Sequence, residues 1–191
     1  MILVGDIATS QATIGSLVRF LKERKSEFRD KCFISNLEGL LSDRDPAKDN
    51  KPILSNDTSL PGLMKEAVDP VFCLANNHVL DIPEAYTPTI RTLEQEQIPF
   101  GGAGYSAEEA MKPLIFKDGD QEIILFNACW DFLLYNHKNP TSGVYVGELD
   151  ERRMIEEVSR FRSLHPEAAI VVYIHWNLDL EKLPFPMYRQ F

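Results

Sequence analysis

Paired cysteines, basic runs and long apolar stretches are all missing from this sequence, and each absence removes a class of protein. Cysteine is confined to Cys32, Cys73 and Cys129, each inside an apolar run (KCFIS, VFCLA, FNACW). An odd count without paired spacing argues against a disulfide framework. Small buried thiols fit better. No Lys/Arg-rich run interrupts a net charge of −9 and a sequence pI of about 4.9. Such a surface repels phosphate polymers and anionic membranes, so nucleic acid is not an expected partner. No apolar run reaches the roughly 18 residues of a membrane-spanning helix. The opening MILVGD reads as a strand and not as a secretory leader. As given, the chain reads as cytoplasmic, with cell-envelope association following only from a leader or anchor removed from it. Nucleophile elbow, P-loop and dinucleotide fingerprint are absent; the glycines of GGAG (101–104) lack the required spacing and read as a turn near the site.

What is present is ordinary globular material. At 44% hydrophobic and 26% charged over 191 residues, the composition supplies a core without staples. We expect a single domain over residues 1–191. Apolar runs at 1–4, 32–35, 70–75 and 169–174 read as buried strands. Helical spacing covers 12–28, 61–67, 83–96 and 150–164, the last opened by Asp150 as a cap. Residues 113–128 read as a hairpin about Asp118-Gly119. Residues 42–60 are polar and aperiodic, a long loop of the kind that often carries function. Residues 129–149 read as irregular. The order is largely β-α-β-α-β with a late hairpin, which favours an α/β fold with a buried, mostly parallel sheet.

Four of the apolar runs end in residues able to hold a metal. MILVG leads to Asp6, CFIS to Asn36 and Glu38, VFCLA to Asn77 and His78, and IVVYI to His175. Ligands of α/β sheets bind at the carboxyl ends of the strands, where loops distant in sequence converge. Carboxylate, amide and imidazole donors together suit Mn, Fe, Zn or Mg. Each residue also has a plain structural reading. Asp6 could close a turn, and Asn36 and Asn76 are ordinary turn residues after a strand. Glu38 could be solvated surface, and His78 and His175 satisfied, partly buried histidines. Asp81 could be a helix-start charge. Tyr105, Trp130 and Trp176 fit core packing or a pocket wall. The joint placement at strand ends favours the metal reading.

The segments GDI (5–7), NLEG (36–39), LANNHVLD (74–81), IPFGGAG (98–104) and HWNLDLEKLP (175–184) are collinear across almost the whole chain. In this order they resemble the successive motifs of the bacterial capsule synthesis protein CapA family, which is related to calcineurin-like metallophosphoesterases. The resemblance implies a four-layer α/β/β/α sandwich and two divalent cations in the complete protein. It implies metal ligands at Asp6, Asn77 and His175. Glu38 would bridge the cations, with Asn36 as the competing candidate. His78 would contact the scissile phosphate and protonate the leaving group, and Asp81 would orient His78. Position 8, where such phosphoesterases usually carry a histidine, is Ala8. Asn177 stands where the family has a glycine. The family's final Gly-His-x-His motif has no counterpart before Phe191, so the sandwich is expected to lack its C-terminal strands.

The function implied is metal-dependent hydrolysis of a small phosphoester, linked to capsule or poly-γ-glutamate synthesis. Two other classes stay open: a non-catalytic subunit that handles an anionic polymer in the envelope machinery, and a degenerate binding domain that keeps the fold without the chemistry.

Overall fold

The first apolar run folds into strand β1 (Ile2–Ile7), which carries Asp6 within the strand and not in the loop after it. The computed structural model describes residues 1–44, 53–130 and 142–176. Parts of the two loop readings, over 42–60 and 129–149, and most of HWNLDLEKLP lie outside the described residues. The helix expected over 12–28 forms as α1 (Ile14–Glu23) and α2 (Lys25–Phe28), interrupted at Arg24. Then follow β2 (Cys32–Leu37), β3 (Leu40–Leu41), β4 (Ser55–Asn56), α3 (Leu60–Lys65) and β5 (Asp69–Cys73). A 3₁₀ turn at Pro83–Ala85 leads into α4 (Tyr86–Gln95). Pro83 lacks the N–H that a helix interior requires, so regular α-helix begins only after it. The remainder comprises β6 (Phe100–Gly101), β7 (Ala103–Gly104), α5 (Ala107–Met111), β8 (Leu114–Asp118), β9 (Gln121–Cys129), β10 (Tyr145–Val146), α6 (Glu151–Leu164) and β11 (Ala169–His175). The carboxylate of Asp150 caps α6 by accepting from Arg153 N at 3.0 Å, as the sequence suggests.

Two main sheets form, as the CapA resemblance implies, beside the two-stranded ladders β3-β4 and β7-β10. The first is parallel, in the order β1-β2-β5-β6. The second runs β11-β9-β8, with β11 parallel to β9 and β8 antiparallel to it as the expected hairpin. Period-2 alternation distributes each strand's side chains between two apolar layers. Cys32, Ile34, Val71 and Cys73 of the first sheet meet Leu114, Phe116, Leu125, Val171 and Tyr173 of the second. The opposite face of the first sheet packs Phe33, Leu37 and Phe72 against Ile14, Leu21, Leu60, Met64 and Leu93 from α1, α3 and α4. The outer face of the second sheet sends Ile124, Phe126 and Ala128 against Met154, Val158 and Phe161 of α6. The architecture is therefore the four-layer α/β/β/α sandwich. Each fully buried Leu, Ile or Phe in these layers contributes about 1.5–3 kcal/mol by leaving water.

The three cysteines are free and buried. Burial pushes the Cys32 thiol up to about 11 and the Cys129 thiol up to about 12. These groups pack as apolar side chains at neutral pH. Among the described residues, the Ser35 hydroxyl is the buried side-chain polar atom without a hydrogen-bond partner. A buried, unmade hydrogen bond costs about 1–3 kcal/mol. Ser35→Ala removes that group with little loss of volume. We expect it to stabilise the fold by about 1 kcal/mol, read as a raised urea midpoint with unchanged slope. A lowered midpoint would contradict this account of Ser35.

Candidate metal centre

The site is built where the C-terminal ends of β1, β2, β5 and β11 meet. Its first feature is a register change. Leu3 pairs with Ile34, but Asp6 pairs with Asn36, so β1 holds one extra residue between them. Such a bulge re-aims the side chains that follow it. Leu3 and Asp6 would otherwise point to opposite faces. The extra residue turns Asp6 onto the face that Ile34 and Asn36 share, toward the second sheet. There Asn36 Nδ2 donates to Asp6 Oδ1 at 2.7 Å. Asn36 is fully buried, so its amide is committed to the site.

Alternation along β11 brings the second sheet's contribution. Val171 and Tyr173 face the first sheet, so His175, two residues further, faces it too. His175 Nδ1 lies 3.3 Å from Asp6 Oδ1 and 3.2 Å from Asn36 Nδ2. His175 Nε2 lies 2.7 Å from Asn77 Oδ1 and 3.9 Å from Glu38 Oε1. Asp6, Glu38 and His175 each offer a ligand atom within 4.8 Å of the others. The structure thus gathers Asp6, Asn36, Glu38, Asn77 and His175 in one place. As placed, Asn36 turns its amide nitrogen toward Asp6 and His175, and its oxygen accepts from Asn76 Nδ2 at 3.1 Å.

His78 and Asp81 form the adjoining pair. His78 Nδ1 lies 2.7 Å from Asp81 Oδ2. The same carboxylate oxygen accepts from Leu54 N at 2.8 Å, so it orients the ring and also pins the returning end of the long polar loop. Gly39 makes room for that return. Its φ is +78°, and a Cβ there would overlap the Leu54 carbonyl oxygen.

The electrostatics favour cations. Burial alone would raise the Asp6 carboxyl, but hydrogen bonds from His175 and Asn36, with the His175 and His78 charges, hold it below the ordinary value. Two carboxylates, an imidazole and an amide oxygen form a donor set that suits a divalent ion of the Mn, Fe, Zn or Mg group. As placed, His175 Nε2–H donates to Asn77 Oδ1 at 2.7 Å. A cation held by both would take that proton's place.

Residues 1–191 match the family described as bacterial capsule synthesis protein PGA_cap. The chain belongs to that family. The assignment agrees with the CapA resemblance, and with it the PGA_cap sandwich is metallophosphoesterase-like. No curated protein matches the chain significantly. No helix among the described residues is long and apolar enough to cross a membrane.

Two members of this PGA_cap site were not singled out by sequence reasoning. Asn76, readable only as a turn residue, is fully buried and holds two motifs together. Its oxygen accepts from His78 N at 3.0 Å and Gly39 N at 3.3 Å, and its nitrogen donates to Leu37 O at 2.9 Å. Asn56 donates to Glu38 O at 2.9 Å and accepts from Thr9 N at 2.8 Å. The doubled asparagine of LANNH was the available signal for the first; nothing in the sequence marked the second. Tyr105, expected in a core or pocket wall, is 53% exposed and packs edge-on against Tyr86.

The depressed Asp6 carboxyl gives a signed prediction. Its folded value lies below the ordinary 3.8, so its stabilising effect is complete above that pH. The effect is lost as pH falls through the depressed value. His175→Ala removes both the hydrogen bond and the charge of the imidazole. The Asp6 carboxyl is then expected to titrate higher by carbon-detected NMR. An unmoved midpoint would show that His175 does not set the Asp6 environment.

Proposed function

We propose that the chain is the catalytic domain of a metal-dependent phosphoesterase linked to capsule or poly-γ-glutamate synthesis. The observation that carries this reading is the convergence of Asp6, Glu38 and His175 within 4.8 Å, with Asn77 against His175. Asp6, Glu38, Asn77 and His175 would hold the metal, and Asn36 would keep Asp6 in place. When bound, a divalent ion supplies a nucleophilic water at neutral pH and offsets charge on the phosphoryl oxygens.

The remaining work falls to side chains. The Asp81 carboxylate takes the Nδ1 proton of His78 as a hydrogen bond, which fixes the ring and its tautomer. Nε2 is then the nitrogen that meets the leaving-group oxygen and gives it a proton. General acid catalysis of this kind contributes about 10²–10⁴-fold. Asn76 fixes the His78 backbone, so the ring is carried on a buried anchor and not on a free loop.

A second reading has its own observation. Ala8 offers no ligand where such phosphoesterases usually carry a histidine, which suits a binding domain that retains the fold alone.

Hydrolysis of p-nitrophenyl phosphate, assayed with added manganese, separates the two. The phosphoesterase reading predicts turnover that a chelator abolishes. Asp6→Ala removes it, and His78→Ala lowers kcat about 10²–10⁴-fold. Asp81→Asn lowers it about 10–100-fold, as expected of a partner acting through His78. Stoichiometric metal without turnover on aryl phosphates or phosphodiesters would favour the binding domain.

A further inference from the structure

Asn127 is a polar residue in an apolar place. It lies on β9 between Leu125 and Cys129, on the face that packs against the first sheet, and is 7% exposed. A buried amide there must be hydrogen-bonded or it destabilises the sandwich. Its Oδ1 accepts from Ala75 N at 2.9 Å, and its Nδ2 donates to Tyr173 O at 3.1 Å. One carboxamide therefore joins the loop after β5 to strand β11. Tyr173 extends the link, since its hydroxyl donates to Val4 O at 2.6 Å.

The three backbone groups tied in this way have a common position. Ala75 lies two residues before Asn77, Tyr173 two before His175, and Val4 two before Asp6. Each contact therefore sits just behind a residue that faces the centre. The glycine between β6 and β7 also finds its reason here. Gly102 has φ +98°, and a Cβ on it would overlap Asn127 Oδ1 and lie 2.6 Å from Ala75 N. GGAG thus leaves the space into which Asn127 reaches.

We infer that Asn127 and Tyr173 are positioning residues that set the spacing between the two sheets and thereby the ligand geometry of the metal centre. The inference rests on the metal reading proposed above. Residues that orient ligands from behind typically change metal affinity about 10–100-fold when altered.

The test uses the whole chain and cobalt(II), followed by its visible absorption. Asn127→Asp keeps an acceptor for Ala75 N but sets a carboxylate oxygen against the Tyr173 carbonyl. Tyr173→Phe removes only the hydroxyl bond to Val4. Met154→Ala, in the outer helix layer, serves as a destabilised control of equal chain integrity. We expect each of the first two variants to bind cobalt at least about tenfold more weakly, with altered ligand-field bands. Met154→Ala should bind as the parent does. If Tyr173→Phe and Asn127→Asp bind as tightly as Met154→Ala, the inference is wrong. If the parent itself binds no cobalt, the metal reading fails, and the positioning claim is then read from the His175 ring nitrogen resonances. Resonances displaced in both variants and not in Met154→Ala would uphold the claim, and unmoved resonances would overturn it.

Discussion

Among the polar contacts that join the two sheets, two lie just behind the metal-facing residues: the Asn127 amide oxygen on Ala75 N, and the Tyr173 hydroxyl on Val4 O. Apolar packing is not directional, so it brings the sheets together without fixing their registry. Hydrogen bonds are directional, and buried ones are costly to leave unmade. These contacts set how β1 and β11 approach. The donor atoms of Asp6, Glu38 and His175 lie within 4.8 Å of one another only because those strand ends meet. A slip of one residue in either strand would turn its ligand to the opposite face.

The same economy runs through the asparagines. Asn36, Asn76 and Asn127 are buried, and each joins two segments far apart in the chain. A carboxamide carries both donors and an acceptor without net charge, so it can tie backbone groups beside carboxylates without adding to their repulsion. Asp6 and Glu38 can therefore sit close together, with histidines and amides moderating the charge. Asp6, Glu38 and His175 could hold a divalent ion, and the bacterial capsule synthesis family supplies the setting in which the proposed chemistry would act.

Much of this was legible in the sequence, for physical reasons. Short apolar runs with turn residues at their ends marked four of the strands, and Asp150 announced α6. The convergence of Asp6, Glu38, Asn77 and His175 followed from their placement at strand ends. Less was legible where meaning depends on pairing partners. The second sheet, which the CapA resemblance implied and the strand order alone did not, forms because the hairpin of β8 and β9 recruits β11 and not β5. The bulge that turns Asp6 inward has no local signature, since Gly5 alone does not specify the extra residue. The amides of Asn76 and Asn127 look like turn or polar surface residues until their partners, tens of residues away, are known. GGAG read as a turn, but only Gly102 bends the chain, between β6 and β7, and its need for glycine lies in Asn127.

On the proposed reading, these strand ends form one cation-binding centre. Anomalous diffraction at the zinc edge, from crystals of the chain grown with zinc, addresses it most directly. The account predicts a peak about 2.0–2.2 Å from oxygens of Asp6 and Glu38 and a nitrogen of His175. Zinc bound elsewhere, with His175 still hydrogen-bonded to Asn77 and Asp6 to Asn36, would contradict it.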